Sequence, residues 1–345
     1  MKPRRSKHAF SYRAGIRIPG TDITCDALGF PSDLVFLSHA NALAPRGAAD
    51  LAGGRAGRRQ FVTTETTLRL LGDAGAKLRE RALPAAFGRP FNLGPHRLEV
   101  VPTGYLPGAA ALLCETETVR AFYLGAFCPE PFIEGIEPAL IRRADAVCIN
   151  ATFGDPGLRF PPRAQSVAQV RAFVEESLRR GERVALLASA FGALPAVVVE
   201  LARAGIAVRA HRRIAAGLAR LRLVCESLPA IPRFSGKLDQ GEVLLWPPEA
   251  RKAASLAALG DLRLALVSGA AADSGVLAHL RLHDGFALTN LPSFAEIVAA
   301  VEATGAPEVA LFAGAAESVA ALLRQRGLDA YALGPPQQMT LPAGK

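Results

Sequence analysis

Lysine is scarce in this chain: only six of its 40 basic residues are Lys, and the rest are Arg. Aromatics are scarce as well, at 6% with a single tryptophan, so a row of stacking platforms for single-stranded nucleic acid is thinly supported. Long hydrophobic runs are missing. The most apolar stretches, Val184 to Leu194 and Val197 to Leu201, are broken by Gly, Pro or charge well before the roughly 18 residues that a membrane-crossing helix needs. The basic opening (Lys2, Arg4, Arg5, Lys7) runs into Arg13 and Arg17 instead of an apolar core, so no secretory signal is expected in it. The five cysteines, Cys25, Cys114, Cys128, Cys148 and Cys225, are odd in number, widely spaced and without a C-x-x-C pair. That excludes a disulfide framework or a structural zinc knot, and the expected setting is a reducing cytoplasm.

What the chain does have is core. With 345 residues, 50% of them hydrophobic and 21% charged, it can fill one large apolar interior or two medium ones. A net charge of +9 is what a partner of phosphate backbones would carry. The bias of Arg over Lys also fits a general compositional preference, so contact with DNA or RNA and a merely solvated basic surface both stay open. The candidate phosphate contacts are the runs 55–59, 209–213 and 220–222, and within them Arg55, Arg58, Arg59, Arg209, Arg212 and Arg213, because the guanidinium fork matches phosphate oxygens.

Two grammars follow each other along the chain. From residue 16 to 126, short apolar runs separated by Gly and Pro read as strands at 23–27, 34–38, 60–64, 98–102, 110–115 and 120–124, with one helix at 65–71. From about Pro161, helical and strand patterns alternate: helix 166–180, strand 184–188, helix 194–204, strand 207–210, then 243–246, 251–259 and 263–267. The tail continues with helix 293–304, strand 309–312, helix 316–326 and strand 330–333. Alternation of this kind predicts an α/β fold with a parallel sheet. There is no internal repeat and no low-complexity segment.

Several phrases, in order, resemble the ligase-associated DNA exonucleases of the metallo-β-lactamase superfamily, relatives of the β-CASP RNA-processing nucleases. They are Asp22 to Asp26 with DLVFLSHA from Asp33, PTGYLPGAA from Pro102, YLGAF from Tyr123, NATFGDP from Asn150, SGAAAD from Ser268, and the long tail from Leu282 to Gly314 with Glu317 to Leu341. The resemblance implies an αββα metallo-β-lactamase sandwich from residues 1–160 and 285–345, a β-CASP-like α/β domain inserted at 161–284, and a nucleic-acid cleft between them. It also implies two zinc ions that activate a hydroxide against a phosphodiester. Here the chain departs from the family. His39 remains, but Asn41, Leu43 and Ala44 stand where the signature has its second His, its Asp and its last His. Tyr105 replaces the next His, Ala126 the bridging Asp, and Asn150 the acid of the Glu-x-Thr-Phe-Gly phrase. The late Asp-His-Ala-Asp phrase reads Asn290, Leu291, Pro292, Ser293, and the last His is Ala313.

A dinuclear site needs several deprotonated imidazoles and carboxylates, pre-oriented by their neighbours. With only Asp26 and His39 left, the expectation is a degenerate, non-hydrolytic cleft packed shut by apolar replacements, with no resident cofactor. His39 is expected to bond to Asp26 or to a backbone carbonyl. Cys25, one residue from Asp26 on a strand, should point to the opposite face. The implied partners are DNA or RNA, or DNA-processing proteins such as a ligase or helicase, and no membrane. Two other readings stay open: a hydrolase with a relocated metal site built on His39, Asp26 and a cysteine, and a module that binds only protein.

Overall fold

The computed structural model describes residues 8–28, 32–42, 59–131, 133 and 135–335. Its first sheet is built from short, locally paired segments: β1 (Ser11–Tyr12), β2 (Ile16–Arg17), β3 (Ile23–Cys25), β4 (Leu34–Phe36), β5 (Gln60–Thr63) and β6 (Ala82–Pro84), in that order. The first three form an antiparallel meander, and β3 to β6 run parallel. Between β5 and β6 lie helices α1 (Glu65–Leu70) and α2 (Asp73–Leu78). The hydroxyl of Thr64 accepts from Thr67 N at 3.1 Å and so caps α1, satisfying one of the donors a helix start leaves unpaired. Leu68, Leu71, Ala74 and Leu78 then pack on Val35, Leu37 and Phe61, the outer face of the sheet.

The second sheet begins with β7 (Phe91–Leu93), β8 (His96–Pro102), β9 (Ala110–Glu115) and β10 (Arg120–Gly125), joined antiparallel, followed by β11 (Ala146–Asn150), which lies parallel to β10. Strand residues alternate between faces. Val100, Leu112, Tyr123 and Cys148 therefore meet Ile23, Phe36 and Val62 of the first sheet, while Val101, Leu113, Phe122 and Ile149 face away. Each such large side chain contributes about 1.5–3 kcal/mol when fully buried. Two sheets clamped this way hold the loops at their strand ends in fixed relation.

The chain then builds a third sheet: α3 (Arg163–Arg179), β12 (Val184–Leu187), α4 (Leu194–Arg203), β13 (Val208–Ala210), α5 (Arg212–Arg222), β14 (Val243–Trp246), α6 (Ala254–Ala257), β15 (Arg263–Val267), α7 (Ser274–Leu280) and β16 (Asp284–Phe286). The five strands are parallel, in the order β13-β14-β12-β15-β16. Val184 and Leu186 face α3, α4 and α5, and Ala185 and Leu187 face α6 and the segments near Leu238 and Leu282. Burial on both faces is why these strands read as unbroken apolar runs. Two expectations need correction here. The stretch 251–259 holds only the one-turn α6, because Pro247 and Pro248 set a 3-10 turn ahead of it and Gly260, at φ 70°, ends it. Residue 285, expected to open the returning segment, still belongs to the third sheet through β16.

Helix α8 (Phe294–Thr304), β17 (Glu308–Phe312), α9 (Ala316–Gln325) and β18 (Asp329–Leu333) complete the second sheet, with β17 parallel between β11 and β18. Ile297, Val301, Val319 and Leu323 of α8 and α9 cover its outer face. The layers thus run α1/α2, first sheet, second sheet, α8/α9, with the third sheet and its helices in addition: a mixed α/β architecture without a closed barrel. Where the chain enters and leaves the third sheet, Arg163 Nε donates to Thr289 O at 3.1 Å and the guanidinium pairs with Glu296 at 2.8 Å. No helix among the described residues is long and apolar enough to cross a membrane.

Candidate functional site

The ends of β3, β4, β8, β10 and β11 converge with the segment before α8 on a partly open cleft of about 400 Å³. Asp26, His39, Asn41, Tyr105, Ala126, Asn150 and Leu291 all line it, together with Cys25, Tyr12, Tyr123 and Phe312. Carboxyl ends of parallel strands are where sheets of this kind place ligands. Ala313 is not in the lining; its neighbour Phe312 takes that place, and Ala313 adopts a left-handed turn at φ 61°.

Asp26 also sits in the left-handed region, at φ 53°, directly after β3 ends at Cys25. The strand's alternation stops there, so Cys25 and Asp26 both reach the same cleft, against the expectation of opposite faces. The Asp26 carboxylate accepts from Ser38 N at 2.7 Å, from Ser38 Oγ at 2.5 Å and from the Tyr123 hydroxyl at 2.8 Å. It is thereby a brace between β3, the loop after β4, and β10. Tyr123 was not among the expected site residues. Its signal in the sequence was a tyrosine inside a strand, and a buried phenol needs a partner.

His39 does not take the partner expected for it. Its Nδ1 accepts from Asn41 N at 3.1 Å, because the turn after Ser38 brings that N–H back onto the ring. Burial lowers the His39 pKa against the opposing pull of Asp26, so the ring is neutral at pH 7. With Nδ1 accepting, the ring proton is on Nε2.

Tyr105, Ala126 and Leu291 pack with Leu106 and Ala109 into one apolar cluster. The Tyr105 ring meets the His39 ring edge-on at 4.7 Å, and Asn290 Nδ2 donates to Tyr105 O at 2.8 Å. Burial pushes the Tyr105 hydroxyl pKa up, which a hydrogen bond from the Asn41 side chain partly offsets. Asn150 Oδ1 accepts from Thr152 N at 2.9 Å and from Thr152 Oγ1 at 2.6 Å. The expectation of a cleft packed shut is corrected by its volume. Alanines and glycines such as Gly15, Ala27, Ala42 and Ala126 line it, and they are too short to fill the space between the walls. Leu43 and Ala44 lie outside the described residues.

The donor set does not fit a pair of zinc ions. Among the described residues, no group of three or more His, Cys, Asp or Glu side chains is placed to hold a metal. The cleft's described lining offers one imidazole and one carboxylate already engaged by three donors. All five cysteines are buried and free. Burial, reinforced by the Asp26 charge, pushes Cys25 and Cys148 far above the usual thiol range, and burial pushes Cys128 up to about 11. The thiolate that a relocated site would need is disfavoured in each.

The arginine runs separate into different fates. Arg209 pairs with Glu242 and Arg213 with Glu249, at 2.7 and 2.9 Å. Arg212 is exposed at the start of α5, Arg59 is half-buried before β5, and Arg55 and Arg58 lie outside the described residues. Arg220 lies over the Phe191 ring at 5.5 Å. The helix that carries much of this charge, α5, was hidden behind its arginines, although Ile214, Leu218 and Leu221 bear the spacing of a buried helical stripe.

No family model matches the chain. Over 245 residues it is 27% identical to a probable DNA ligase of Opitutus terrae. The match covers 70% of this chain and 24% of that protein, so the chain spans about a quarter of its relative's length.

Proposed function

We propose that this chain is a non-hydrolytic homologue of the metallo-β-lactamase-fold, β-CASP-type nucleases that serves DNA joining or repair as a binding module. In this reading residues 1–160 and 285–345 form the sandwich and 161–284 the inserted domain, with the boundary shifted to place β16 in the insert. The observation that carries it is the cleft chemistry: Tyr105, Ala126 and Leu291 form an apolar cluster where metal ligands would stand. Structural zinc sites draw about 10–16 kcal/mol from a full ligand shell. His39 alone supplies a small part of that. The two-sheet, helix-flanked layering and the distant likeness to a probable DNA ligase support the family and the DNA connection.

The test is direct. Purified protein, incubated with labelled single- and double-stranded DNA and with added manganese or zinc, is expected to leave the strands intact while retaining them in a low-salt binding assay. Metal-dependent cleavage that disappears in His39→Ala would overturn the proposal, and so would a lack of DNA affinity even at low salt.

A further inference from the structure

Although the cleft is open, none of the described side chains that line it is Lys or Arg, and one, Asp26, is a carboxylate. Against these described walls a phosphate would lose hydration with no counter-charge and would meet a negative neighbour.

The walls are nevertheless equipped to bond. Asn150 turns its Oδ1 to Thr152, which leaves its NH₂ to donate at the cavity it lines. His39 Nε2 carries the ring proton, since Nδ1 accepts from Asn41 N. Tyr105 lines the same cavity beside Asn41, and its hydroxyl is a further neutral group able to donate. Three neutral donors therefore share a cavity with one strong acceptor, Asp26, whose Oδ1 accepts a single bond and keeps one acceptor site, while Oδ2 already accepts two. Flat surfaces flank them: Tyr12 is 37% exposed, and Phe312 stacks on Tyr123 at 6.0 Å.

We propose that this cleft binds an unpaired nucleobase, a flat, neutral group with carbonyl acceptors and ring N–H donors, in place of a phosphate. The inference rests on the reading that no metal pair works in this cleft. Base carbonyls would take the protons of His39, Tyr105 and Asn150, a ring N–H would reach Asp26, and Tyr12 or Phe312 would offer the stacking face. A volume of about 400 Å³ is within the range of small-molecule pockets. A base of this kind comes either from a free nucleoside or from the frayed end of a strand.

The experiment uses the full chain, stripped with EDTA, titrated by calorimetry with thymidine, inorganic phosphate, a short single-stranded DNA, and the same strand with an abasic terminal position. Thymidine is expected to bind saturably without competition from phosphate. Asn150→Leu and Tyr105→Phe should each weaken it by about tenfold, the loss of one hydrogen bond. The strand with its terminal base should bind about tenfold more tightly than the abasic one if the end of DNA is the source; equal affinities with thymidine still bound assign the site to a free nucleoside. Ala42→Trp, at the half-buried rim, should block the cleft in a chain whose circular dichroism is unchanged. Competition by phosphate, undiminished affinity in the variants, or no thymidine binding with or without zinc would overturn the proposal. Thymidine binding that needs added zinc would instead count against the metal-free reading itself.

Discussion

At the scale of single residues, the cleft is organised by Asp26. A left-handed aspartate between β3 and the loop that carries His39 receives bonds from Ser38 and Tyr123, and these hold two sheets at a common corner. Tyr123→Phe removes one buried donor to a charged acceptor and is expected to cost about 1.5–3 kcal/mol in a urea melt. Retention of full stability would contradict the bracing role. His39 supplies a pH signature. Its folded-state pKa is depressed, so the unfolded chain binds the extra proton more readily, and stability present above the ordinary histidine value of about 6.5 is lost as pH falls through the lower folded value. His39→Gln should flatten the stability profile in that acid window, and the imidazole proton signals should titrate below the free value. An upward shift would mean a bound counter-charge that the cleft does not show.

At the scale of elements, the start of α8 is fixed by a few polar side chains. Ser293 and Glu296 form a reciprocal capping box, with Ser293 N donating to Glu296 Oε2 at 2.8 Å, and Glu296 also pairs with Arg163. Ser293→Ala should cost about 1 kcal/mol. Burial alone would raise the Glu296 pKa, but Arg163 and the Ser293 bonds outweigh it and leave it lowered. The stability this group contributes is complete above its ordinary value near 4.5 and is lost as pH falls through the lower folded value. Glu296→Gln should remove that acid-side loss while lowering stability at pH 7; an unchanged acid limb in the variant would refute the assignment.

The same scale shows what the sequence revealed. The parallel core strands at 184–187, 243–246 and 263–267 were legible because burial on both faces leaves an unbroken apolar run. Helix α5 was not, since charge on its exposed side masked the stripe formed by Ile214, Leu218 and Leu221. The phrases that singled out Asp26, His39, Tyr105 and Asn150 lie far apart in sequence, and the sheets bring these residues to the lining of one cavity. The partner of His39 and the facing of Cys25 were not legible, because both depend on backbone turns at Asp26 and after Ser38 that no side-chain pattern encodes.

For the molecule as a whole, a net charge of +9 is spread over arginines of which several already serve internal partners. If the chain binds DNA as proposed, its affinity should therefore fall with salt, but less steeply than the charge count suggests. Arg212→Ala is expected to lower the slope of log affinity against log salt by about one. Arg209→Ala should act mainly on stability, by stripping Glu242 of its partner. Equal slopes in wild type and Arg212→Ala would move the DNA face elsewhere. In the proposed reading, the corner between the two sheets is held by hydrogen bonds and apolar packing where a metal pair would otherwise stand. Elemental analysis by plasma mass spectrometry, on protein purified without chelators and dialysed against zinc and manganese, tests this most directly. Far less than one equivalent of either metal per chain is expected; close to two tightly held equivalents would contradict the metal-free reading.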